Sequence, residues 1–186
     1  MRLIYVRHGE TDINLREVAG ERVADDDAPL NAVGVEQAKK VALRLKDEKV
    51  DVNFTSPLRR AVETAKEIAK FHDVPVIMRR KLSERVTGAI ENEYWHELYD
   101  FDKKSGGRGV ETVRDFFDRV YKEVDYIMGS GYQNPIVVSH GGVFHAVRAY
   151  YNGLEWKGNL RVDHIGNCEF RVFEDSVQRF EKSKEV

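Results

Sequence analysis

Two histidine-glycine pairs stand where apolar runs end. Arg7-His8-Gly9-Glu10-Thr11 follows Leu3-Ile4-Tyr5-Val6, and Ser139-His140-Gly141-Gly142 follows Ile136-Val137-Val138. A neutral imidazole attacks phosphorus when one ring nitrogen faces the target and a hydrogen bond fixes the other. His8 meets the positional requirement. Beside it, Arg7 offers a planar fork of donors suited to phosphoryl oxygens, and Gly9 lets backbone N–H groups approach the same anion. Ligands of open α/β sheets gather at the carboxyl ends of strands, so segments this far apart in sequence can converge on one pocket. An Arg-His-Gly triplet by itself is weak.

Further segments add weight. Ser56-Pro57-Leu58-Arg59-Arg60-Ala61-Val62-Glu63-Thr64-Ala65 sets arginine in the first turn of a helix, where the helix dipole and a guanidinium both attract an anion. A solvated helix end is the plainer reading. Glu84, in Leu82-Ser83-Glu84-Arg85-Val86-Thr87-Gly88-Ala89, is either a general acid or one of many exposed carboxylates. Glu10 and Thr11 read first as residues that shape the loop after His8.

The elements that must position these groups are legible from periodicity. Arg2 to Val6 opens as a strand, followed by a polar loop containing Asp25-Asp26-Asp27. Asn31 then caps a helix with Val35, Ala38, Val41, Ala42 and Leu45 on one face. Val52–Thr55 is a second strand. Ser56 as N-cap and Pro57 at the first helical position start the next helix, with Ala61, Ala65, Ile68 and Ala69 buried. Pro75–Met78 is a short strand leading into the Glu84 loop. Thr112 and Asp115 resemble a capping box ahead of Val113, Phe116, Phe117, Val120, Val124 and Ile127. Ile136–Ser139 is a buried strand, Val143–Tyr151 a helix ended by Gly153, and Cys168–Phe173 with Val177–Phe180 a possible hairpin. Strands alternating with helices predict an α/β fold: a three-layer α/β/α sandwich, its central sheet mainly parallel with an antiparallel edge strand near the C-terminus. The chain, 1–186, reads as a single domain.

Bulk composition bounds the partners. At 41% hydrophobic and 33% charged residues with a formal net charge of -2, there is no global basic field for nucleic acid. No apolar stretch approaches the roughly 20 residues needed to span a bilayer. The first strand begins at Arg2, which leaves no space for a signal peptide, and the lone Cys168 suits a reducing compartment as a buried thiol. The expected location is cytoplasmic. Metal-ligand spacing is missing: His140 and His145 are five residues apart, and His72, His96, His145 and His164 read as surface or packed residues. Neither nucleotide-binding glycine motif occurs, and the glycine-rich stretch Lys103–Gly109 reads as a surface loop.

Taken together, the Arg-His-Gly-Glu-Thr block, the Ser-x-Leu-x-Arg-Ala-x-x-Thr block, the downstream Glu and the late His-Gly resemble the histidine phosphatase superfamily, or phosphoglycerate mutase-like family. The blocks occur in order from Arg2 to about Tyr151, and Asn167-Cys168 also looks like a family position. The resemblance implies a phosphoglycerate mutase-like fold and makes His8 the nucleophile that becomes phosphohistidine. Arg7 and Arg60 then bind the phosphoryl group. Arg60 matches the family arginine four residues after the serine, whereas Arg59 lies about 100° round the helix and faces solvent. His140 implies a donor to phosphoryl oxygens. Glu84 implies the acid that protonates the leaving oxygen, its pKa raised by burial or by phosphate. Asn14 resembles a family phosphate contact, and Thr11, Arg85 and Gly141 are further candidate substrate contacts. No metal is implied.

Within that resemblance the acceptor is water or a second hydroxyl. His-Gly-Gly at 140–142 and Glu-Thr at 10–11 look like the phosphatase branch, whereas Glu84-Arg85 with Gly88-Ala89 looks like the mutase version of the acid loop. Only residues 85–139 separate Glu84 from His140, too few for the insertion that carries the mutases' extra basic contacts. The leading expectation is therefore a metal-independent phosphomonoesterase acting through phosphohistidine on small phosphorylated metabolites, with no cofactor. The alternatives are a phosphoglycerate mutase needing 2,3-bisphosphoglycerate, and a phosphate- or phosphoprotein-binding module without catalysis. Arg16, Arg22 and Asp25–Asp27 are candidates for the pocket entrance, with directions that sequence does not fix. Oligomeric state stays open.

Overall fold

A computed structural model describes residues 1–18, 27–86, 111–154 and 163–174. In chain order these form β1 (Arg2–Arg7), α1 (Asp12–Val18), α2 (Ala32–Leu45), β2 (Val52–Thr55), α3 (Arg59–Ala69), β3 (Val76–Met78), a 3-10 turn (Arg80–Leu82), α4 (Val113–Gly129), β4 (Pro135–Ser139), α5 (Gly141–Tyr151) and β5 (Phe170–Glu174). The sheet order is β3-β2-β4-β1-β5. All neighbours run parallel except β5, which pairs antiparallel with β1 at one edge. This is the mainly parallel α/β architecture that the sequence predicts.

The alternation of side chains along a strand sorts the core into two layers. Ile4 and Val6 of β1, with Ile136 and Val138 of β4, pack under α2 and α3 against Ala38, Val41, Leu45, Ala61, Ala65 and Ile68. Leu3, Tyr5 and Val137, with Val52 and Phe54 of β2, face α4 and α5 through Phe117, Val120, Val124, Phe144 and Val147. Because both faces are covered, β1 and β4 read as unbroken apolar runs.

Helix starts follow local chemistry. Asn31 Oδ1 accepts the Gly34 N–H at 2.8 Å to begin α2, and Thr112 Oγ1 accepts the Asp115 N–H at 3.0 Å to begin α4. After α5, Gly153 takes φ 61, a left-handed turn natural to glycine.

Three sequence expectations are corrected. The segment after β1, expected to be loop, forms α1, because Thr11 Oγ1 accepts the Asn14 N–H at 3.3 Å and caps a polar but helix-competent stretch. Helix α3 begins at Arg59 with Leu58 in the capping position, not at Ser56-Pro57; Ser56 Oγ accepts the Leu58 N–H at 3.2 Å in the turn before it. The strand expected at Cys168–Phe173 is β5, and its partner is β1; Val177–Phe180 lies outside the described residues.

Candidate active site

The register of the two central strands builds the site. Arg7 pairs with Ser139 as β1 and β4 end side by side, so the next residue of each strand is a histidine. The His8 N–H donates to the Ser139 carbonyl at 2.9 Å. The two imidazoles meet edge to face with centroids 5.1 Å apart, and both are buried.

His8 Nδ1 lies 2.7 Å from the Gly9 carbonyl oxygen. A carbonyl only accepts, so Nδ1 carries the proton and Nε2 keeps its lone pair. Burial, then the Arg60 charge and more weakly Arg7, hold the His8 pKa well below the usual histidine value, against the opposing pull of the Gly9 hydrogen bond. The ring is neutral at pH 7.

The loop that carries His8 is clamped. Gly9 N–H donates to Thr64 Oγ1 at 3.0 Å, Glu10 N–H to Gln37 Oε1 at 2.9 Å, and Asn31 Nδ2 to Glu10 Oε1 at 2.9 Å. Gly9 and Gly34 are required here by close approach: a Cβ on Gly9 would stand 2.6 Å from the Gly34 carbonyl oxygen, and a Cβ on Gly34 would strike the Glu10 backbone.

His140 sits at the N-cap of α5. The buried Tyr5 hydroxyl donates to its carbonyl at 2.6 Å and accepts its N–H at 3.1 Å. His140 Nε2 lies 2.8 Å from Ser56 Oγ, while Nδ1 is buried with no partner among the described residues. Burial, then the charges of His8, Arg60, Arg7 and Arg119, hold its pKa well below the usual value.

Glu84 accepts two backbone N–H groups, Arg85 through Oε1 and Gly142 through Oε2, each at 2.9 Å. The second binds it to the first turn of α5. Burial pushes its pKa up, outweighing the two N–H bonds and the charges of Arg60 and Arg7. Arg119 braces the same loop from α4, donating to the Lys81 and Ser83 carbonyls at 2.8 and 3.0 Å while held by Glu111 at 2.7 Å.

The remaining candidates divide. Arg60, in the first turn of α3, is buried, whereas Arg59 is exposed and pairs with Glu63 at 2.9 Å. Arg7 donates to the Ile165 carbonyl at 2.8 Å, and its Nε is buried without a partner among the described residues. Gly141 lies beside the Arg7 guanidinium. Asn14 Oδ1 accepts Thr11 N–H, Thr11 Oγ1–H and Asn167 Nδ2, at 3.2, 3.1 and 3.3 Å. Asn167 also donates to the His8 carbonyl at 3.0 Å. Thr11 is fully buried and spends its hydroxyl inside this loop. Arg85 is buried with Nε on the Glu111 carbonyl at 2.9 Å. Asp27 accepts the Arg59 N–H, while Arg22, Asp25, Asp26 and the side chain of Arg16 lie outside the described residues.

The sequence did not single out Ser56 as a histidine partner, Tyr5 as a backbone clamp or Arg119 as a brace. The only signal was a phenol within an aliphatic strand. Among the described residues no cluster of three or more His, Cys, Asp and Glu could hold a metal, and no helix is long and apolar enough to cross a membrane.

A buried imidazole with an unprotonated Nε2, a second imidazole, two guanidiniums and a carboxyl at a helix N-terminus are groups suited to phosphoryl transfer. Comparison with known proteins agrees. Residues 3–184 match the family model described as the histidine phosphatase superfamily, branch 1. The chain is 28% identical to a putative phosphoserine phosphatase 2 of Hydrogenobacter thermophilus, over 92% of this chain and 89% of that one. It is 33% identical to a metal-independent phosphoserine phosphatase of Arabidopsis thaliana, over 78% and 66%. The crystal structure of an α-ribazole phosphatase from Shigella flexneri superposes with a TM-score of 0.80 at 26% identity, covering 92% of this chain and 89% of that one.

Proposed function

Since the chain belongs to the histidine phosphatase superfamily and is a phosphoric monoester hydrolase, we propose that it works without a metal, through phosphohistidine on His8, on small phosphorylated metabolites. The observation that carries this reading is the hydrogen bond from His8 Nδ1 to Gly9, which leaves Nε2 unprotonated beside a second buried imidazole.

In the first step the Nε2 lone pair forms an N–P bond as the ester P–O bond breaks, and the departing electron pair goes to the ester oxygen. Glu84, raised in pKa by burial, gives that oxygen its proton and releases an alcohol. Arg7, through its unpartnered Nε, and Arg60 neutralise the phosphoryl oxygens, and His140 donates from Nδ1 as charge develops. In the second step the Glu84 carboxylate takes a proton from water, whose oxygen attacks phosphorus. The N–P electron pair returns to His8. Asn14, Thr11, Arg85 and Gly141 complete the substrate side, and Asn14 and Thr11 do so by setting the loop after His8. The names of the relatives, phosphoserine and α-ribazole phosphatases, support small phosphomonoesters as the substrate class.

Acid quenching during turnover with labelled phosphoserine should trap phosphate on the parent protein and none on His8→Ala. Turnover of a phosphomonoester panel in chelator without trapped phosphate would overturn the mechanism. Conversion of 3-phosphoglycerate that depends on 2,3-bisphosphoglycerate would assign a mutase instead.

A further inference from the structure

Ser56 is fully buried, and its hydroxyl oxygen has two partners: the Leu58 N–H at 3.2 Å and His140 Nε2 at 2.8 Å. A backbone N–H can only donate, so one lone pair of Oγ is committed to it. Among the described residues, the acceptor that the hydroxyl proton reaches is then His140 Nε2. If Nε2 carried the imidazole proton instead, two buried groups would be stranded, the hydroxyl proton and the bare Nδ1 lone pair, each at the cost of a lost hydrogen bond. The tautomer with Nδ1–H strands only that N–H. Tyr5 fixes the His140 backbone through both its N–H and its carbonyl, and the fully buried ring meets Ser56 through Nε2.

We infer that Ser56 is a positioning residue that donates to His140 Nε2 and so fixes the second histidine as an Nδ1–H donor, its one free polar atom ready for a phosphoryl oxygen. This rests on the phosphohistidine reading for its use in catalysis, but the tautomer itself belongs to the resting protein. The role also explains why Ser56 does not start α3 as a helix cap: its side chain is turned to the imidazole, and the helix begins three residues later at Arg59.

The test reads tautomer and turnover separately. In protein labelled with ¹⁵N-histidine, with the ring signals of His140 assigned by their loss in His140→Gln, Nδ1 should give a protonated, pyrrole-type resonance and Nε2 a pyridine-type one. The reverse pattern would overturn the inference whatever the catalytic mechanism. Ser56→Ala should mix the two tautomers and lower kcat about tenfold with little change in KM, a loss below the ~10²–10³-fold expected for removing a transition-state donor outright. Ser56→Thr, which keeps the hydroxyl, should restore both readouts. Unchanged kcat and an unchanged tautomer in Ser56→Ala, in protein whose parent traps phosphohistidine, would refute the role of Ser56 and leave the phosphohistidine reading standing. Absence of trapped phosphate in the parent would refute that reading alone.

Discussion

Replacing Glu84 by glutamine removes the ionisable carboxyl but preserves most of the shape, and the structure says what else it disturbs. Both carboxyl oxygens accept a backbone N–H, from Arg85 and Gly142. A glutamine has one acceptor oxygen, so one of these N–H groups must face an NH₂. Leaving a buried N–H unsatisfied costs about 1–3 kcal/mol, which in a chain of this length lowers the melting temperature by about 2–4 °C for each kcal/mol. The variant should therefore fold, and can be assayed well below its transition. On the chemical side, losing a general acid costs about 10²–10⁴-fold, but only where the leaving group needs a proton. Rapid-quench measurement of the first turnover isolates phosphorylation of His8. The rate for an alkyl phosphate such as phosphoserine should fall by that factor, while the rate for p-nitrophenyl phosphate, whose leaving anion is stable, should stay near the parent value. The nitrophenyl ester should then show a burst equal to the enzyme concentration followed by slow turnover, because water has lost its base. Equal first-turnover losses for the two substrates would remove Glu84 as the acid.

Acid should destabilise the fold through the two imidazoles. Their folded pKa values lie well below the ordinary one, so below about pH 6.5 the unfolded chain binds protons that the folded chain refuses, and stability falls by up to about 1.4 kcal/mol per pH unit for each ring. Glu84, shifted upward, opposes this above the usual carboxylate range, since its folded form holds a proton more tightly, but it is one group against two. Urea midpoints measured from about pH 7.5 to 5.5 should fall on acidification, and His8→Asn should flatten the slope; a level parent curve would contradict the buried neutral pair. Gly142→Ala places a methyl group against the Glu84 carboxylate and should cost about 10²-fold with alkyl phosphates, while the nitrophenyl burst persists; unchanged kcat on phosphoserine would show that the acid does not depend on this contact.

The sheet and most helix positions were readable because each carries a simple period. β1 and β4 are apolar on both faces, and α2 and α4 bury a regular stripe behind Asn31 and Thr112. Convergence of the two histidines was readable for a related reason, since both follow a buried strand. Less visible were groups whose role depends on a partner distant in sequence. Ser56 precedes a helix, which is the usual setting of a cap, and nothing local reveals an imidazole 84 residues away in sequence. Arg119 lies on a long amphipathic helix, where a cation reads as solvent-facing, yet it braces the turn before Glu84. Helix α1 escaped because its cap is mutual: Thr11 and Asn14 satisfy each other inside a stretch with little apolar periodicity.

Both histidines are carried on strands hydrogen-bonded along each side, β1 between β4 and β5, and β4 between β2 and β1. Amides in such an environment open to solvent only when the whole molecule comes apart. Deuterium uptake at Val6 and Val138 should consequently report the same free energy as displacement of His8 from its place beside His140. The Glu84 loop lies outside the sheet, tied to α4 through Arg119, to α5 through Gly142 and to β4 through Ser139, contacts that can open locally without unpairing the strands. A warmed or mildly denatured sample would then keep the power to phosphorylate itself from an activated ester after it has forgotten how to release an alcohol.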